Sequence, residues 1–217
     1  MTTLLLFRAA NDATPWGWPL LDAWDRMLQD AVRRSDLCLI DLSGPAATRR
    51  NLNSMLEVLP RRTVVACLGE GAPPEDERFP GLLDVRGSRT LLDAPVEGRV
   101  ILLFASQSAP LADELMERGA LAVFCFRGDL SLFPRDPALE TVALQLFRPL
   151  AEWLQGGKEL NWLVQAMKEQ SSAVTAHRAA NPTMYQRHMV FVPEGLAMNA
   201  RNAMLFGEST VNVGDLD

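Results

Sequence analysis

Short apolar runs alternate with stretches whose apolar residues recur at helical spacing, and this rhythm limits what the chain can fold into. Thr3–Phe7 reads as a first strand. Leu20, Leu21, Trp24, Met27, Leu28, Ala31 and Val32 then share one helical face, so residues 19–34 predict a helix. Leu37–Leu42 predicts a second strand, closed by the turn residues Ser43-Gly44-Pro45. Residues 47–59 predict a second helix, with Leu52, Met55, Leu56 and Leu59 on one face, and Thr63–Cys67 a third strand. The acidic, proline-rich stretch Gly71–Pro80 reads as loop, and Gly81–Pro95 carries no period that assigns it. Val100–Phe104 is the fourth strand. Pro110 suits the first turn of a helix striped by Leu111, Ala112, Leu115 and Met116, which Gly119 stops. Leu121–Phe126 is the fifth strand.

Residues 137–155 present Leu139, Val142, Ala143, Leu146, Phe147, Leu150, Trp153 and Leu154 on one broad face. Pro149 inside that pattern removes a helical hydrogen bond and predicts a kink or split. Another helix is expected over 159–170, and His188–Val192 reads as a sixth strand. Residues 196–217 show no clear period and are expected to be extended, mobile or ordered against a partner, beyond a single domain spanning 1–195. Such alternation implies right-handed crossovers, hence an α/β three-layer sandwich: a mostly parallel six-stranded sheet with helices on both faces.

With 217 residues, 48% of them apolar, the chain has ample material for a core. The net charge of −6 argues against a nucleic-acid surface built on general phosphate attraction. Arg61-Arg62 reads as a solvated loop. The three cysteines, 38, 67 and 125, sit apart inside apolar runs, with neither disulfide nor zinc spacing. Buried thiols in a reducing compartment are the simple account. No run reaches the roughly 18 apolar residues of a membrane span, and the amino terminus lacks signal-peptide character. A soluble, cytoplasmic protein without metal or cofactor is expected.

Two segments carry a stronger signal. They are Ala66-Cys67-Leu68-Gly69-Glu70 and Leu103-Phe104-Ala105-Ser106-Gln107-Ser108, each following a strand-like run. Both resemble the catalytic segments of the CHAT family, the caspase-like cysteine peptidases of bacteria. In that family the first typically reads Ala-Cys-His-Gly-Glu and supplies the base; the second typically reads Leu-Ser-Ala-Cys-Gln-Ser and supplies the nucleophile. Leu68 stands here in place of the histidine and Ser106 in place of the cysteine. An alternative comparison sets Glu70, in Gly69-Glu70-Gly71, opposite the histidine. The resemblance continues piecewise through Leu111–Val123, Phe147–Gly157, Leu160–Lys168 and the closing Asn181-Pro182, Tyr185, Val190–Val192 and Gly195. It implies a caspase-like sandwich with its site at the carboxyl ends of neighbouring parallel strands, which is also the general rule for open α/β sheets.

Those strand ends present Arg8, Asp41–Gly44, Leu68–Glu70, Ser106–Ser108 and Arg127–Asp129, so Asp41, Ser43, Gly69, Glu70, Gln107, Ser108 and Asp129 are the candidate binding residues. A serine nucleophile needs a general base within reach. No histidine precedes position 177, and Leu68 cannot accept a proton. A Ser106–His188 pair is the remaining route to a dyad, while His177 reads as a loop residue. Cys67 reads as an inert buried thiol, and Ser106 with Ser108 as caps of the following helix. Asp41 suits a turn role or capture of a cationic side chain.

Three functions follow. The first is a degenerate CHAT protein that binds a protein or peptide, an active homologue or an effector, in bacterial conflict pathways. The second is a hydrolase using Ser106. The third rests on Ser35–Gly44, which looks like the second strand of TIR-like and nucleoside-processing folds and would imply nucleotide binding, though without a glycine-rich phosphate loop.

Overall fold

The computed structural model describes residues 2–9, 17–33, 37–69, 82–84, 86, 88–91, 93–132, 138–187 and 189–216. Along the chain come β1 (Thr3–Ala9), α1 (Gly17–Arg33), β2 (Cys38–Ser43), α2 (Arg49–Val58), β3 (Val64–Gly69), β4 (Leu82–Leu83), β5 (Arg89–Thr90) and β6 (Val100–Phe104). Then follow α3 (Ala109–Glu117), β7 (Ala122–Phe126), α4 (Ala138–Leu154), α5 (Trp162–Ala180), α6 (Pro182–Arg187), α7 (Val192–Asn202) and β8 (Ala203–Gly207).

Six of these strands form one sheet in the order β2-β1-β3-β6-β7-β8. The first five run parallel, and β8 pairs antiparallel with β7 at the border. The four inner strands are buried along their whole length, as strands covered on both faces must be. Alternate residues point to opposite faces. Leu4, Leu6, Ala66, Leu68, Leu102, Phe104, Phe124 and Phe126 pack beneath α1, α4, α5 and α7. Leu5, Phe7, Val65, Cys67, Ile101, Leu103, Val123 and Cys125 pack beneath α2 and α3. Right-handed crossovers dictate that division: β1 to β2 steps one way across the sheet, while β2 to β3 and β6 to β7 step the other. The result is the expected α/β sandwich of three layers.

Several boundaries differ from the sequence reading. α5 runs ten residues past position 170, to Ala180. Ser172 and Thr175, which look like breakers, return their hydroxyls to the carbonyls of Lys168 and Ser171 at 2.9 Å each, so the helix absorbs them. His177 therefore lies in the last turn of α5, not in a loop. Pro149 sits inside one continuous α4.

His188–Val192 is not the sixth strand. Val190 and Phe191 form a turn, Val192 begins α7 with Pro193 in its first turn, and His188 lies outside the described residues. Val192, Leu196 and Ala200 repeat at helical spacing, so the apolar run belongs to a helix start. The sixth strand is β8, drawn from residues read as an unassigned tail, and position 195 falls inside α7. The rest of that tail is also packed: Val211, Val213 and Leu216 are buried.

The unassigned stretch before β6 holds the two-stranded ladder of β4 and β5. Asp84 fastens it to α2, accepting from the backbone amides of Arg49 at 2.9 Å and of Arg86 and Ser88 at 2.8 Å each. Burial pushes the Asp84 carboxyl up, but these amide donors outweigh it and hold the group below its ordinary value. Asp93 adds a second tie, pairing with Arg49 at 2.8 Å and accepting from Asn53 at 2.9 Å.

Candidate functional site

The carboxyl ends of β1, β3, β6 and β7 meet at one edge of the sheet, which is where a site in this architecture belongs. β1 is also the strand at which the crossovers reverse direction. Its end carries Arg8, a buried arginine whose Nε donates to Asp41 Oδ1 at 3.1 Å while Nη2 donates to Oδ2. The two-point geometry suits a guanidinium and a carboxylate and ties β1 to the end of β2. Asp41 thus does hold a cationic side chain, and it belongs to this chain. Ser43 opens a short 3-10 turn over Gly44–Ala46 without lending its side chain as a cap.

Leu68 and Gly69 end β3, both buried. Leu68 pairs in register with Phe104 and faces the same side of the sheet, within the apolar cluster beneath α1 and α4. Phe104 is itself fixed by Phe124, 5.6 Å away between ring centres, and by an edge-on contact with Phe147 at 5.9 Å. The position that resembles the family's histidine is therefore a core position filled by a core residue. Glu70, the alternative, lies outside the described residues, as does His188.

The turn after β6 is bound to the turn after β7. Gln107 N donates to Gly128 O at 2.9 Å and Ser108 N to Phe126 O at 2.8 Å. Ser106 Oγ accepts the Leu130 amide at 2.9 Å. Ser108 Oγ donates to Ala105 O at 2.9 Å and accepts the Phe126 amide at 3.1 Å. Gln107, in a left-handed conformation with φ of 52°, donates through Nε2 to Asp129 Oδ1 at 3.1 Å. Neither serine caps α3: Ser108 is at the cap position but its side chain makes no cap bond. Both serines instead extend the β6–β7 ladder beyond the strands, which a helix-start motif alone does not reveal. Their motif neighbours are thus brought together, yet chiefly with one another.

Behind this edge lies a buried amide pair that the sequence reading missed. Asn199 Oδ1 accepts the Ser131 amide at 2.7 Å, and Asn199 Nδ2 donates to Ser131 O and to Gln145 Oε1, each at 3.1 Å. Gln145 Nε2 donates in turn to Leu196 O at 2.8 Å and Met167 O at 3.2 Å. The two side chains join α4, α5, α7 and the loop after β7, with their amide groups satisfied. Gln145 on the apolar face of α4 was the available signal. Gly128 seats the same loop on Asn202: a Cβ there would come within 2.8 Å of Asn202 Nδ2.

The two buried thiols, Cys67 and Cys125, have no nucleophilic setting, while Cys38 is only half-buried. Burial pushes Cys67 up to about 12, and burial with the nearby Asp113 charge takes Cys125 to about 12 as well. His177 Nδ1 is hydrogen-bonded to Tyr185 Oη at 3.0 Å, far along the chain from the strand-end segments. Among the described residues the Leu130 amide is the one group bonded to Ser106 Oγ, and none of them sets a general base on that hydroxyl. The described residues include no cluster of three or more His, Cys, Asp or Glu side chains able to hold a metal ion. No described helix is long and apolar enough to cross a membrane. The grooves lined by described residues lie between helices, such as the one bordered by Arg26, Met27, Leu144 and Arg148 on α1 and α4. No protein-family model matches this chain, and no curated protein matches it.

Proposed function

We propose that this chain is a catalytically degenerate relative of the CHAT peptidases, acting as a protein- or peptide-binding component of a bacterial defence or regulated-proteolysis system. The observation that carries the reading is the state of the two motif positions. Leu68 is packed in the core beside Phe104, and Ser106 Oγ serves as an acceptor for the Leu130 amide. Cleavage by a serine needs a base on that hydroxyl, and a side chain of hydrocarbon cannot supply it. The sheet order, five parallel strands and one antiparallel border strand, supports the caspase-like part of the reading. Exposed Gln107 and Asp129 at the same edge give a peptide backbone or a basic side chain polar groups to meet.

The test has two arms. The chain is incubated with a mixed peptide library, and no turnover is expected; turnover abolished by Ser106→Ala would overturn the reading in favour of a serine hydrolase. Peptides retained on the immobilised chain are then titrated against an Asp129→Lys variant. Weaker binding is expected for peptides seated at the strand ends, and unchanged binding would remove the site from this edge.

A further inference from the structure

The border strand β8 leaves one side of its backbone open. Arg127 N donates to Asn202 O at 3.0 Å and Glu208 N to Leu121 O at 3.1 Å. Antiparallel ladders bond at every second pair. With Val123 opposite Phe206 and Cys125 opposite Met204, those two residues of β8 turn their amides and carbonyls toward β7. Leu205 and Gly207 turn theirs away from the sheet, together with the Ala203 carbonyl, and among the described residues no strand lies beyond them. The Ala203 amide is already bound to Asn199 O.

The side chains of β8 are engaged even though its edge is not. Ala203 and Leu205 pack against the cluster under α5 and α7, and Met204 and Phe206 against the cluster under α3. What remains is an edge whose outward backbone groups have no partner among the described residues, with helices on either face. Folded proteins commonly blunt such an edge with a charge, a proline or a bulge. Ala-Met-Leu-Phe-Gly contains neither charge nor proline, and its register with β7 is unbroken, with Gly207 at a positive φ of 77°.

Charge indicates what fits. A groove of about 440 Å³ between α5 and α7 leads to Ala203, lined by Ser171, Ser172 and Ala200 with Lys168 and Arg201 at its rim. Lys168 and Arg201 are exposed, and neither has an ion-pair partner among the described residues. Two cations, Lys168 and Arg201, therefore line a groove at one end of an open strand in a chain of net charge −6.

We propose that β8 accepts an extended acidic segment of a partner protein as an added strand, with the segment's carboxylates over Lys168 and Arg201. Backbone bonds to Leu205, Gly207 and the Ala203 carbonyl supply the pairing, and the cations fix direction and register. The pairing uses the outward edge of β8 and cations on α5 and α7, not the side chains of Gln107 and Asp129 at the strand-end turns.

The probe is a short fluorescent peptide of alternating Val and Glu, followed by anisotropy. Binding is expected, and it should weaken about tenfold in the Lys168→Glu/Arg201→Glu variant, as loss of two exposed ion pairs implies. A copy of the peptide N-methylated along one edge should fail to bind, because methylation removes its donors and leaves its charges. Leu205→Pro removes an outward amide while sparing the β7 ladder, and should weaken binding with the circular dichroism spectrum retained. Equal binding of the N-methylated peptide, or of one with Lys in place of Glu, would overturn the proposal. A dimer in solution that dissociates on Leu205→Pro would overturn it too, by giving the edge to a second copy. The N-methylated peptide and the Lys168→Glu/Arg201→Glu variant alter neither Gln107 nor Asp129, which keeps this outcome apart from that of the strand-end test.

Discussion

At the scale of single residues, the two positions that most resemble an active site, Leu68 and Ser106, are each committed to structure. Leu68 contributes to the apolar layer beneath α1 and α4. Replacing it with histidine would bury an imidazole beside Phe104 without a described partner, at a cost of about 1–3 kcal/mol. Urea unfolding of Leu68→His should show that loss, and a stability within error of the parent would contradict the packing argument. Ser106→Ala removes the acceptor for the Leu130 amide and should cost about 1 kcal/mol. Ser108→Ala should cost more, because the buried Ser108 hydroxyl serves Ala105 O and the Phe126 amide together. The ranking, with Ser108→Ala below Ser106→Ala in stability, can be read from the same unfolding curves. The motif made these positions visible in the sequence. Which of them held turns together was not visible, since hydroxyl partners lay 18 and 24 residues away.

At the scale of elements, the ladder of β4 and β5 with its flanking Asp93 shows how a stretch without periodicity can still be specified. Its docking depends on the start of α2, where Asp84 receives the Arg49 amide and Asp93 receives the Arg49 guanidinium. Hydrogen bonds from Arg49 and then Asn53 hold the Asp93 carboxyl at about 2. A depressed carboxyl stabilises the fold above its ordinary range and loses that contribution as pH falls through about 2. The pair is half-exposed, so the effect on global stability should be small, about a few tenths of a kcal/mol. Protection of the Arg89–Leu91 amides, taken relative to their intrinsic exchange rates, is the better reporter: it should fall on acidification toward pH about 2 in the parent, and already be low at neutral pH in Asp93→Asn. Equal exchange in both proteins would detach the docking from Asp93.

Elements with strong periods were legible without this kind of information. The fourth strand agrees residue for residue, and α1 through α4 fall close to their expected bounds. The misreadings have two causes: a local pattern outweighed by a distant pairing, and a helix carried on by hydroxyls bonded four residues back. Met189–Val192 has the composition of a strand, but β7 pairs with Ala203–Gly207 instead. Ser171-Ser172 has the look of a helix end, but back-bonded hydroxyls and the buried Val174 carry α5 onward.

At the scale of the whole molecule, the last residues close the core. Trp153 Nε1 donates to Val211 O at 3.1 Å, Leu160 N donates to the same carbonyl at 2.9 Å, and Asn161 N donates to Ser209 O at 2.9 Å. Val211, Val213 and Leu216 are buried beside them. Each such side chain contributes about 1.5–3 kcal/mol of apolar burial, and a domain has only about 5–15 kcal/mol in hand. A chain ending at Glu208 should lose cooperative thermal unfolding and bind a hydrophobic dye. A sharp transition near the parent midpoint would show that the closure is dispensable.

Thr2 Oγ1 donates to Val213 O at 3.3 Å across 211 positions of sequence. Because Thr2 immediately precedes β1, the meeting point lies at the amino ends of the parallel strands, the pole opposite Ser106 and Gln107. A module attached beside Thr2 or Val213 would therefore sit at that pole and could anchor the fold to a surface with its strand-end turns still facing outward.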